Sequence, residues 1–206
     1  LAQSNNCDQM NIIVVGASNK PTFDLSNEVA LRVSAIAPGS ADIFASLGIW
    51  KNIENQRVCP YRDMRVWDAC GHADDPETLH FQAAEFAIAE LGFIVENELI
   101  MHALLQNLDL LHQPVYFETP IRSLVQLNNR FCVTFANGKS LTADLVVGAD
   151  GAESFVRKSA NISVDAWSYS QSALVTHMRP ERSHQYTAWQ RFLHNGPIAL
   201  LPLLDG

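Results

Sequence analysis

A-D-L-V-V-G-A-D-G-A-E-S-F-V-R, residues 143–157, ends an apolar strand on a carboxylate held between two glycines and then begins a helix. Leu145, Val146 and Val147 form the short, largely β-branched run that suits a central strand covered on both faces. Gly148 and Gly151 bracket Asp150, and glycine lets a backbone turn sharply and approach a ligand closely. A helix starting near Ser154 would offer N–H groups to a phosphate, with Asp150 at the strand's carboxyl end, where α/β sheets bind ligands. The pattern predicts an α/β nucleotide-binding fold. The plainer alternative is a surface turn in which Asp150 caps the helix.

The flanking sequence extends that reading. M-N-I-I-V-V at residues 10–15 reads as a buried strand, the second of a dinucleotide fold, where a first strand, a G-x-G-x-x-G turn and a helix would precede it. Those glycines are not among these residues, and the first six look like the tail of a helix running into Cys7. Residues 196–203 read as a strand with nothing after them to complete its sheet, so the expectation is a piece of a longer enzyme, truncated at both ends. Helices are predicted over 38–47 and over 97–108, the latter with apolar residues at Leu99, Ile100, Ala103, Leu104 and Leu108. Strands are predicted over 121–127 and 131–136. Asn137-Gly138 makes a hairpin turn into 140–148, and 172–178, 187–193 and 198–203 form a second, antiparallel sheet.

Composition excludes several classes. The chain has 206 residues, 48% hydrophobic and 17% charged, which describes an ordinary globular protein. Fourteen basic against 22 acidic residues give a net charge of -8, which argues against nucleic-acid binding and leaves no polybasic membrane anchor. Cys7, Cys59, Cys70 and Cys132 form neither a C-x-x-C pair nor a disulfide framework, as expected of a reducing cytoplasm. No stretch of 18 apolar residues predicts a spanning helix. Cys70, His72, Asp74 and Asp75 read as a polar loop rather than as metal ligands.

D-G-A-E-S-F-V-R at 150–157 resembles the D-G-x-x-S-x-x-R motif of the class A flavoprotein aromatic monooxygenases, whose fold is that of p-hydroxybenzoate hydroxylase. R-V-S-A-I-A-P-G-S (32–40), L-G-I-W (47–50), P-Y-R-D-M-R-V-W-D (60–68), F-Q-A-A-E (81–85), I-V-E-N (94–97) and W-Q-R-F-L-H-N-G-P-I-A-L-L-P-L (189–203) narrow the resemblance to the FAD-dependent hydroxylases of ubiquinone biosynthesis. It implies an FAD-binding, Rossmann-like α/β fold (1–60 and 94–165) with a second β-sheet substrate domain (61–93 and 166–206). It also implies an oxidoreductase that hydroxylates a polyprenylated phenol or benzoquinol ring through a flavin C4a-hydroperoxide, using NAD(P)H and O2. Other ubiquinone-biosynthesis proteins would be partners, with peripheral contact to the inner membrane from the cytoplasm. A flavin-free lipid-binding or scaffolding homologue is the alternative.

The same resemblance assigns cofactor-binding residues. Arg32 falls where the family sets an arginine against the FAD ribose and diphosphate, a guanidinium fork suiting phosphate oxygens; its plainer role is a surface ion pair. Asn97 falls where relatives reach the FAD ribose, and equally suits a helix cap. Asp150 and Gly151 match the pair that contacts FAD and nicotinamide, with Arg157 orienting their loop by pairing with Asp150. The family carries a ribose-binding acid after the second strand where this chain has Gly16, and Asp24 lies far along a loop. With the glycine-rich turn absent, weak or no FAD binding is expected of these 206 residues alone. No catalytic residue is assigned: Tyr61, Met64, Trp67, Trp167, Tyr169, Trp189 and Phe192 are candidate pocket residues, and His177, His184 and His194 candidate bases.

Overall fold

A computed structural model describes residues 10–204; the expected helical tail before Cys7 and the last two residues lie outside them. In chain order, β1 (Val14–Val15) is followed by β2 (Val33–Ile36) and the helices α1 (Pro38–Ser46) and α2 (Trp50–Glu54). Then β3 (Cys59–Tyr61), β4 (Asp63–Asp68) and β5 (Leu79–Gln82) lead through a 3-10 turn at Ala83–Phe86 to β6 (Gly92–Glu96) and α3 (Asn97–Leu110). After them come β7 (Val115–Tyr116), β8 (Ile121–Leu127), β9 (Arg130–Phe135), β10 (Ser140–Ala143), α4 (Phe155–Ser159), β11 (Thr187–Leu193) and β12 (Gly196–Leu200). The contacts divide the chain into two units, one of Leu1–Pro21 and Leu108–Ala173, the other of Thr22–Asn107 and Leu174–Gly206.

In the first unit β1 and β7 pair in parallel, Val14 opposite Val115 and Val15 opposite Tyr116. An antiparallel meander, β8-β9-β10, stands beside them in sequence. Turn chemistry sets its register. Asn128 and Asn129 both take positive φ, 48° and 64°, as the tight β8–β9 turn requires, and Gly138 takes φ 83° in the predicted Asn-Gly turn. The run 145–147 joins no ladder, and Leu145 and Val147 are 71% and 69% exposed. A strand must be paired as well as apolar, and no described segment lies alongside to accept its hydrogen bonds. For the same reason only Val14–Val15 of the expected 10–15 strand is ladder-bonded, and 172–178 forms no strand.

The second unit has two sheets. β2-β6-β3 is antiparallel and carries the main core: Ile49, Ile53, Val58, Val95, Leu99 and Ala103, all at most 6% exposed. Complete burial of a side chain such as Ile53 or Leu99 stabilises by about 1.5–3 kcal/mol. α1 opens on Pro38, whose fixed φ suits a first helical turn, and ends at Leu47 before Gly48 in the left-handed region at φ 75°. Asn107 donates its side-chain amide to the Leu47 carbonyl at 3.2 Å, joining α3 to that helix end. The other sheet, β12-β11-β4-β5, is mixed: β4 and β11 run parallel while the outer pairs are antiparallel. No helix among the described residues is long and apolar enough to cross a membrane.

Gly92 is the tightest backbone approach in this unit. A Cβ there would lie 2.7 Å from the Tyr61 hydroxyl and 2.8 Å from the Ile36 carbonyl oxygen, so β6 fits between β2 and β3 only without a side chain. Gly92→Ala is expected to destabilise by about 1–3 kcal/mol, as overpacking does. Urea unfolding followed by tryptophan fluorescence checks it, since Trp50 lies in the same core, stacked on Phe44 and edge to face with Phe93. An unchanged midpoint would contradict the crowding. The same burial raises the Tyr61 hydroxyl pKa above its ordinary value.

Candidate functional site

In the first unit, Asp150, Gly151 and Arg157 come together at one turn. Gly151 has φ 84°, a conformation that a side chain would strain. Asp150 accepts from the Ser154 hydroxyl, from the Phe155 N–H at 2.6 Å and from the Val156 N–H at 3.2 Å. Ser154 is the N-cap of α4, and its Oγ accepts from the Arg157 N–H at 2.9 Å. The first turn of α4 is therefore satisfied by its own side chains. This corrects the expectation of N–H groups open to a phosphate: the carboxylate beside the helix start has taken them. A cleft of about 400 Å³ opens beside the turn, lined by Val146, Gly148, Gly151, Ser154, Val156 and Arg157 among others.

Arg157 steadies the loop by a different bond from the one expected. Its guanidinium donates to the Ala152 carbonyl at 2.6 Å, while Asp150 is occupied by hydroxyl and backbone donors. Those donors, the Ser154 hydroxyl foremost, hold the Asp150 carboxyl below its ordinary pKa, with slight burial opposing them. The lowered value sets the sign of a pH effect: the cap stabilises fully above the unfolded aspartate pKa near 3.9 and is lost as pH falls through the folded value. Wild-type protein should therefore outmelt Asp150→Asn at neutral pH, and the gap should close below about pH 4 in thermal melts. A gap independent of pH would refute the charged cap.

In the second unit the backbone brings Arg32 and Asn97 together. Val33 pairs with Glu96 across β2 and β6, and the Asn97 N–H donates to the Arg32 carbonyl at 3.1 Å. Asn97 stands at the start of α3, where its Oδ1 accepts from the Ser34 hydroxyl at 2.7 Å, so its side chain ties β2 to α3. Arg32 is exposed and has no ion-pair partner among the described residues, so the plain surface ion pair is not formed. An exposed guanidinium with no ion-pair partner among the described residues suits the phosphate oxygens of a nucleotide.

The residue that sequence reading missed is the neighbour of Asn97. Glu96 is 2% exposed, and its carboxylate accepts from the Ala30 N–H at 2.7 Å and from Arg57 Nη2 at 3.3 Å. Arg57 Nε stands 3.0 Å from the other carboxylate oxygen, and Nη1 donates to the Asn27 carbonyl at 2.6 Å. The pair fastens residues 27–30, which run directly into Arg32. The available signal was a single acid closing an apolar run in I-V-E-N, a place where an unpaired charge would be costly.

The register splits the expected aromatic pocket. Trp67 and Trp189 meet edge to face at 6.2 Å on one side of the four-stranded sheet, with Arg65 over Trp189 at 5.6 Å. On that side Arg191 donates to the carbonyls of Asp68, Ala69 and Gly71, which holds the loop after β4. Met64, Val66, Phe81 and Phe192 take the alternate positions and the opposite side. Tyr61 belongs to the other sheet of the same unit, and Trp167 pairs with Tyr169 in the first unit. His184 is structural: its Nδ1 accepts from the Tyr186 N–H at 2.9 Å, which leaves Nε2 to donate to the Leu203 carbonyl at 3.0 Å. In the loop that carries Cys70 and His72, Asp74 pairs with Arg65 and Asp75 accepts from the His72 N–H.

Comparison with solved structures gives the fold. p-Nitrophenol 4-monooxygenase of Pseudomonas putida superposes with a TM-score of 0.63 at 17% identity, over 79% of this chain and 40% of that one. A Pseudomonas aeruginosa protein described as a probable FAD-dependent monooxygenase gives 0.59 at 20%, over 77% and 41%. The fold is thus the p-hydroxybenzoate hydroxylase-like α/β fold of the FAD-dependent monooxygenases. No family model matches the chain. The ubiquinone biosynthesis monooxygenase of Danio rerio is 38% identical over 209 residues, and the 3-demethoxyubiquinol 3-hydroxylase of Escherichia coli 34% identical over 199. Each match covers 94% of this chain, which spans 42% and 49% of those proteins. Over the stretch that it spans, the chain is homologous to these ubiquinone-biosynthesis hydroxylases.

Proposed function

We propose that the chain is part of an FAD-dependent monooxygenase that hydroxylates the ring of a polyprenylated phenol or quinol, a precursor of ubiquinone. The observation that carries this reading is the similarity to two named hydroxylases over 94% of the chain. The flavin-free scaffold finds no support, since the curated relatives are named as monooxygenases and hydroxylases. FAD, reduced by NAD(P)H, would supply the activation of O2. One oxygen atom enters the ring and the other leaves as water.

The chain's own residues bind, orient and exclude water. Arg32 neutralises diphosphate charge, and Asn97, fixed by Ser34, reaches the ribose side of the cofactor. Gly151 lets the backbone approach the flavin without a side chain, while Asp150 and Arg157 hold that loop in shape. Residues 1–60 and 94–165 serve the cofactor, and 61–93 with 166–206 serve the substrate. Within the four-stranded sheet, the apolar side with Met64, Val66, Phe81 and Phe192 covers the prenylated ring and keeps water from the reacting oxygen; Phe81 and Phe192 are 41% and 49% exposed. A prenyl tail partitions into lipid, which sets the working site at a membrane face.

The test is a flavin absorbance spectrum of the protein expressed from its whole natural gene, followed by mass spectrometry of a prenylated phenol incubated with it, NAD(P)H and O2. Bound flavin and a product heavier by one oxygen are expected. Protein without flavin after incubation with FAD, or flavin without ring hydroxylation, would overturn the reading.

A further inference from the structure

We propose that Glu118 supplies the carboxylate that holds the adenosine ribose hydroxyls of the bound FAD, in place of the acid that Gly16 cannot provide. The inference rests on the flavoprotein reading above. Ligands of α/β sheets sit beyond the carboxyl ends of parallel strands, and a carboxylate there accepts from the ribose diol. In this chain β1 and β7 are the parallel pair, and the segments leaving them are stitched together. Gly16 N–H donates to the Tyr116 carbonyl at 2.8 Å, Thr119 N–H to the Gly16 carbonyl at 2.9 Å, and Glu118 N–H to the Ser18 carbonyl at 3.0 Å. Glu118 therefore stands at the same ligand-facing end as Gly16, two residues past β7.

Its chemistry suits the role. Glu118 is exposed, and its carboxylate makes no ion pair or hydrogen bond among the described residues. Its backbone is held at φ 50°, a conformation that non-glycine residues adopt where the surroundings impose it. Asp24, the first acid after Gly16 in sequence, is already occupied, accepting from the Ser26 N–H at 2.8 Å within the second unit. The space at Gly16 is empty: a Cβ would meet nothing nearer than the Tyr116 carbonyl oxygen at 4.0 Å, and its φ is outside the left-handed region. A carboxylate could be restored there without displacing anything, so the two positions can be exchanged.

That exchange is the experiment, made in the protein expressed from its whole natural gene. Apoprotein is titrated with FAD by flavin fluorescence, and KM for NADH is measured alongside, since both ligands carry an adenosine ribose. Glu118→Gln is expected to weaken FAD about ten- to hundredfold, the effect of losing a charged hydrogen-bond acceptor. The melting temperature of the apoprotein should stay unchanged. Adding Gly16→Glu to Glu118→Gln is expected to recover most of the lost affinity, which a merely structural Glu118 would not allow. Unchanged FAD affinity in Glu118→Gln would overturn the proposal, as would a change confined to KM for NADH or a failure of Gly16→Glu to rescue. Wild-type protein that takes up no flavin would instead overturn the flavoprotein reading, and this proposal with it.

Discussion

Arg57→Ala is expected to destabilise the second unit by about 3–5 kcal/mol, because it strands a buried carboxylate rather than merely deleting a surface charge. Glu96 is 2% exposed, whereas the Arg57 side chain is 19% exposed and can reach water. Removing the arginine leaves Glu96 with the Ala30 N–H as its remaining partner and frees the Asn27 carbonyl. Removing the glutamate instead should cost less, since the guanidinium keeps its Asn27 bond and its place over the Phe23 ring at 5.5 Å. Arg57→Met with Glu96→Leu should recover much of the loss, as buried ion pairs replaced by apolar pairs of similar volume commonly do. Urea unfolding of the three variants decides the matter. A loss under about 1 kcal/mol for Arg57→Ala would show that water already reaches the pair.

The second large effect is expected on ligand affinity. Arg32→Ala should weaken FAD binding by about 1.5–3 kcal/mol, the range for a hydrogen bond to a charged group, which is roughly ten- to a hundredfold. Arg32→Lys should fall between, since an ammonium keeps the charge but not the planar fork that grips two phosphate oxygens at once. Because Arg32 is exposed and unpaired among the described residues, neither variant should lower the melting temperature appreciably. Calorimetric titration of the native apoprotein with FAD measures the order of the three affinities. Equal affinity for wild type and Arg32→Ala would remove Arg32 from the site, and a matching drop in stability would recast it as a structural residue.

What the sequence made legible was local. Proline at 38 and glycine at 48 mark the two ends of α1, the apolar spacing of Leu99 and Ala103 marks the buried face of α3, and Asn137-Gly138 marks a hairpin. Each of these signals is contained within a few residues, so periodicity and turn preference suffice to read it. The run 145–147 has the composition of a central strand yet forms no ladder, because pairing depends on a neighbour that composition cannot supply. The pocket aromatics failed in the same manner: Trp67 and Met64 are three residues apart and so face opposite sides of β4, a parity that is visible only when the strand's limits are known.

The site divides along the same line. That Asp150 sits between glycines before a serine-capped helix, and that Arg32 and Asn97 flank two strands, is written in the order of residues, because it depends on local turns and caps. Only tertiary structure decided that the Asp150 carboxylate is taken up by Ser154, Phe155 and Val156. The same holds for Arg57, which crosses 39 residues to meet Glu96, and for Glu118, whose backbone is bonded to Ser18. Hydrogen-bond partners far apart in sequence are chosen by which groups the fold leaves buried or facing one another, and residue type alone states only that a partner is needed.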